Sequence, residues 1–192
     1  MNKDLKLPKT YKTLLMLALV LGPFCWLAFT EDGQRRTDVA LMALLGHPEF
    51  NPAIESFNGG LTESRLREVF PKLEWACADG SNPFGNRLCR ADIGSFNQIP
   101  ASNITFFFDG DRLRAAKLVY RRAYHGLISD WLDRRLGGRG AASPVAAESR
   151  SAEGVETYQV DDGEIFLREG ELGEDEEPAL LWISRASLDA RH

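Results

Sequence analysis

The polarity pattern opens with an uninterrupted apolar run from Leu14 to Phe29, preceded by Lys3, Lys6, Lys9 and Lys12 against the single acid Asp4. This predicts a membrane-directed helix. The run counts 16 residues, whereas a bilayer core takes about 20 helical residues, so crossing recruits Thr13, Thr30 or the flanks, or thins the bilayer. An uncleaved signal anchor is the first reading. A cleaved secretory signal is the alternative, although Ala28-Phe29-Thr30 is a poor small-residue site, and Pro23-Phe24 before Cys25 does not suit lipoprotein processing. A buried helix of a soluble protein is the third.

Downstream the period changes. Thr37 to Leu45 reads as a short helix with Thr37 as N-cap, Asp38 in its first turn and Gly46 as stop. A loop from His47 leads to Gly60. Thr62 then caps a helix over Glu63 to Phe70, in which Leu66, Val69 and Phe70 share a face. Glu74 to Cys77 and Leu88 to Ile93 are short strands. Ile104 to Phe108 and Arg112 to Tyr120 form a hairpin through Asp109-Gly110-Asp111, since Gly accepts the positive φ that such turns need. Leu127, Ile128, Trp131, Leu132 and Leu136 stripe a helix over Tyr124 to Leu136. Residues 138 to 153, rich in Gly, Ala and Ser, read as a surface loop. Val155 to Val160 and Ile165 to Leu167 flank Asp161-Asp162-Gly163 as a further hairpin, and Ala179 to Ser184 is the last strand.

The expected class is α+β: an N-terminal membrane helix, then antiparallel sheet with helices packed on one face, in two similar helix-then-meander halves. The chain divides into an anchor (1–30), a helix and linker (31–60), an exported domain (61–185) and a tail (186–192). Trp75, Trp131, Tyr158 and Trp182 are expected in the core. Strand alternation forbids Phe106, Phe107 and Phe108 from all pointing inward, so Phe107, or its two neighbours, must face away.

Composition adds location. The chain has 192 residues, 44% apolar and 27% charged, with net charge -5. An acidic balance argues against nucleic acid as partner. Four lysines before the span and Arg35 and Arg36 after it place the N-terminus in the cytoplasm. The expected location is the bacterial inner membrane, crossed once through residues 14–29, with the C-terminal domain in the periplasm; a secreted or periplasmic form after cleavage is the alternative. Setting aside residues 1–30, with four lysines and one aspartate, takes the net charge from -5 to -8. Cys77 and Cys89 then fit a disulfide, which oxidising compartments permit.

Charge is segregated. Residues 112–139 hold eight basic side chains against Asp130 and Asp133, while 153–177 hold eleven acids against Arg168. The two windows either neutralise each other inside the fold or face partners. Arg112, Arg114, Arg121, Arg122, Arg134, Arg135 and an outward Phe107 are the candidate binding residues.

No catalytic residue, cofactor or metal ligand is assigned. His47, His125 and His192 share no helical face, and neither a nucleophile elbow nor a phosphate loop occurs. His125, near the start of the helix over Tyr124 to Leu136, reads first as a capping or partly exposed histidine; the base role, with Asp109 or another turn carboxylate in a cleft, belongs to the hydrolase alternative. Gly60-Leu61-Thr62-Glu63-Ser64-Arg65-Leu66-Arg67-Glu68-Val69-Phe70 before paired strands resembles the envelope group typified by the small outer-membrane-assembly lipoproteins and the β-lactamase-inhibitor-protein fold. That resemblance implies a non-enzymatic interaction module. The expectation is therefore an envelope-assembly or protein-interaction module binding another envelope protein; a periplasmic hydrolase and a small-ligand or lipid carrier are the alternatives.

Overall fold

A computed structural model describes residues 8–137 and 154–190. Lys3, Lys6, Arg139, Glu153, His192 and the 138–153 segment read as a loop lie outside the described residues. Five α-helices and nine strands follow in the described chain.

Helix α1 (Lys9–Phe29) contains Pro23. Thr10–Phe29 is long and apolar enough to cross a membrane or to be a signal sequence, and none of it is buried against the rest of the protein. Helix α2 runs over Glu31–Leu44, six residues earlier than the pattern predicts, and its N-cap is Thr30 instead of Thr37. The Thr30 hydroxyl accepts from the Gly33 amide at 3.1 Å and donates to the Trp26 carbonyl at 2.6 Å. Glu31 and Asp32 then fill the first turn, where the helix dipole favours acids.

Helix α3 (Glu63–Val69) has the expected Thr62 cap. Strands β2 (Ala76–Asn82) and β3 (Gly85–Asp92) form a hairpin that extends the expected strands Glu74–Cys77 and Leu88–Ile93 into the segment between them. After β4 (Ser95–Phe96), the long β5 (Ile99–Asp109) pairs with β6 (Arg112–Tyr120). Helix α4 (His125–Leu136) precedes β7 (Val155–Val160), β8 (Gly163–Arg168) and β9 (Ala179–Ser184). Helix α5 (Arg185–Asp189) covers most of the 186–192 tail.

The strands make one sheet. Its path runs β1-β4-β5-β6-β9-β8-β7, with β3 also on β5 and β2 on β3, where β1 is Glu49–Phe50. All pairings are antiparallel except β1 with β4. The β6–β9 pairing joins the two meanders, setting Ala116 against Trp182 and Leu118 against Leu180. Leu66 of α3 and Ile128, Leu132 and Leu136 of α4 enter the same buried cluster as Phe106, Leu118 and Trp182.

Phe106 sits at the centre of that core. Its ring lies 5.4 Å from Trp75, 5.5 Å from Phe57 and 6.4 Å from Phe50. The segment read as linker is therefore partly structural: Phe50, Ile54 and Phe57 are all buried. Trp75, Tyr158 and Trp182 are buried and Trp131 packs against the cluster, as expected.

Candidate functional site

The candidate arginines are mostly occupied within the chain. Arg121 Nη1 donates to Asp38 Oδ2 of α2 at 3.0 Å, and the Tyr124 hydroxyl reaches the same oxygen at 2.8 Å. Partial burial and that carboxylate push the Tyr124 phenol up to about 12. Arg122 donates to the carbonyls of Leu172, Gly173, Glu174 and Glu176, so its charge holds the acidic turn in place. Arg135 forms a fork with Glu55 at 2.8–3.1 Å and lies over Trp131. Arg114 pairs with Asp109 at 3.3 Å. Lys117 pairs with Glu177, and Arg168 with Glu176. The basic and acidic windows thus meet inside the fold. Arg112 and Arg134 are exposed and make no ion pair among the described residues.

Phe107 occupies a different environment. β3 and β6 flank β5 in registers Leu88↔Phe107↔Ala115 and Cys89↔Phe106↔Ala116. Phe106 and Phe108 consequently enter the core, and Phe107 turns to the other face. A bulge where Phe107 faces Ala115 and Phe108 faces Leu113 leaves Arg114 as the extra residue. On the outward face Ala78, Leu88, Phe107, Ala115 and Ile183 stand in one row across β2, β3, β5, β6 and β9. Phe84 sets its ring 5.5 Å from Phe107. Phe84, Leu88 and Phe107 are half-buried. Leu88 was legible as a strand residue, but Phe84 was hidden in a turn-rich stretch; only its position before a strand could have marked it.

The groups considered for acid–base chemistry do not converge. The His125 Nδ1 atom is 2.6 Å from the Tyr120 hydroxyl, and the two rings stack. Burial raises the Tyr120 phenol, so it stays protonated, and the His125 tautomer sets which of the two atoms donates. Asp109 lies at the opposite end of β6, roughly 25 Å away by strand rise. Asp162 accepts from the Gly59 amide at 2.7 Å, which is a structural tie. The Tyr158 hydroxyl lies 2.8 Å from both Asp133 and Glu156, fastening β7 to α4.

Cys77 and Cys89 face each other in the β2–β3 register and are joined as a disulfide. Glu63 stands close enough to both sulfurs to suggest a three-ligand cluster. Oxidised sulfurs supply no thiolate, however, and Glu63 is already held by Arg87 and Arg67. Those guanidiniums, Arg87 first, keep its carboxyl below the usual range.

One further concavity, of about 370 Å³, lies between α2 and the β1 and β4–β5 region, lined by Arg35, Arg36, Val39, Glu49, Asn51 and Gln98 among others. Asn97 and Gln98 both have positive φ, 47° and 66°, in the two-residue turn joining β4 to β5. Arg35 and Arg36 are both paired with Asp32.

No known protein family, curated protein or solved structure matches this chain.

Proposed function

We propose that the chain is a membrane-anchored exported module that binds another envelope protein through the outward face of its sheet, without catalysis. The observation that carries this reading is the apolar row Ala78–Leu88–Phe107 across β2, β3 and β5, with Phe84 against Phe107. Leu88, Phe107 and Phe84, half-buried on β3, β5 and the turn before β3, with exposed Ala78 at the edge, fit a surface that gains stability when a partner removes it from water. In this reading α3 and α4 cover the core face in two helix-then-meander halves, α5 packs against β6, β8 and β9 where Ala115 and Ile183 are buried, and the β2–β3–β5 part of the outward face is left for the partner. Phe107 and Leu88 supply the contact. Arg112, at the start of β6, adds charge that steers the approach of an acidic partner. The more numerous cationic residues before the span favour an N-terminus in the cytoplasm and a domain in the periplasm of a bacterium. The Cys77–Cys89 disulfide suits that compartment.

A photo-crosslinking residue at Phe107 in growing cells tests the reading. An adduct of one defined mass at Phe107, absent when the probe replaces exposed Ser64 of α3 and lost on Leu88→Asp, is the expected result. No adduct at Phe107, or equal adducts at both positions, would overturn it.

A further inference from the structure

We propose that α2 is an interfacial helix whose apolar face, carrying Leu41 and Leu44 with Leu45 at the C-cap, lies in the surface of the bilayer that α1 enters. This rests on the reading that α1 spans a membrane. Leu41, Leu44 and Leu45 are 45%, 83% and 62% exposed, values matched elsewhere in the chain mainly along α1 itself.

The direction of that face follows from how the two helices join. Gly33 is seated on the last turn of α1: a Cβ there would collide with the Trp26 carbonyl oxygen and stand 2.7 Å from the Leu27 Cα. Gln34 donates to the Ala28 carbonyl at 2.8 Å, and the Arg36 guanidinium lies over the Trp26 ring. Gly33, Thr37, Ala40, Leu41 and Leu44 recur at three and four residues and so share one helical face with that seat. The face turned toward α1, and hence toward the bilayer, is the one that carries the exposed leucines.

The remaining side of α2 is held by the domain. Asp38 accepts from Arg121 and Tyr124, Met42 lies against Arg121 Nη2 at 3.3 Å, and a Cβ on Gly94 would meet the Met42 Cβ at 2.8 Å. Domain on one side and membrane on the other is the environment of an amphipathic helix lying in the headgroup plane. Trp26, near the end of α1, sits where interfacial aromatics collect.

Spin-label accessibility of the full chain in phosphatidylethanolamine–phosphatidylglycerol vesicles tests this. Nitroxides are placed on native Cys25, and on Leu41→Cys, Leu44→Cys and Ser64→Cys, each in a Cys25→Ser background. The expected result is several-fold greater collision with oxygen than with a water-soluble nickel chelate at positions 25, 41 and 44, and the reverse at 64. A lipid-exposed Cys25 with positions 41 and 44 behaving like 64 overturns the interfacial helix while the span survives. An aqueous Cys25 overturns both. Low collision with both reagents at 41 and 44, or spin–spin broadening removed by unlabelled protein, means that a protein surface covers this face and also overturns the proposal.

Discussion

Phe106 and Phe107 are neighbours of identical chemistry with opposite environments. Sequence alternation reduced the problem to two solutions, because adjacent strand side chains cannot share a face. Choosing between them required the register that sets Phe106 beside Cys89 and Ala116, information held by strands distant in the chain. Phe106→Ala removes the ring around which Trp75, Phe57 and Phe50 pack, and should cost about 3–5 kcal/mol. Phe107→Ala should cost about 1 kcal/mol or less. Urea unfolding of the two variants checks the contrast, and equal losses would contradict the register. Glu63 offers a pH test of the same kind. Its carboxyl is held below its ordinary value by hydrogen bonds from Arg87 and Arg67. A depressed carboxyl contributes stability above its unfolded-state value and loses it as pH falls through the folded-state value. Glu63→Gln should therefore be less stable than the parent near neutrality and converge with it in acid, as followed by urea midpoints across that range. High salt should shrink the same difference.

Elements were legible where local pattern and tertiary demand agreed. The β5–β6 hairpin, the Thr62 cap and the stripe of α4 all follow from turn chemistry or period. Helix α2 was misplaced because Gly33 is a poor helix residue, yet it is required where Thr30 turns the chain and α1 approaches closely. Strand β2 was mostly missed because Ala78, Asp79, Gly80 and Ser81 have turn composition; pairing with β3 and the disulfide override that propensity. β2 lies at the sheet edge and pairs with β3 alone, so its order depends on few contacts. Replacing Cys77 and Cys89 together by Ala should cost roughly 2–4 kcal/mol, the usual range for a native disulfide. Amide exchange should rise over Cys77 to Asp79 while β5 and β6, inside the sheet, keep their protection. Uniform loss of protection would mean that the bridge supports the whole sheet instead of its edge.

At the scale of the molecule, the charge segregation that stood out in the sequence is largely consumed by the fold. Arg122 on four carbonyls and Lys117 on Glu177 join the basic window to the acidic one, and Arg168 pairs with Glu176 within the latter. One-dimensional composition could not reveal this, because β6 and the turn before β9 meet only through the crossing that sets the two meanders side by side. The outward placement of Phe107 beside Leu88 follows from the β3–β5 register, which the polarity pattern alone left open between two faces. The charges at the two ends of α1 predict its orientation across the membrane. Lysines crowd its N-terminal side, whereas Arg35 and Arg36 beyond it both pair with Asp32, and Arg36 also lies over Trp26. The cation excess is therefore greater before the helix than after it, which favours retention of the N-terminus in the cytoplasm. A membrane-impermeant maleimide added to spheroplasts should modify Ser64→Cys, in a Cys25→Ser background, without permeabilisation. Modification only after permeabilisation would place the domain in the cytoplasm. That outcome would also remove the compartment in which the Cys77–Cys89 bridge is expected to persist, so free thiol content in the same samples should change with it.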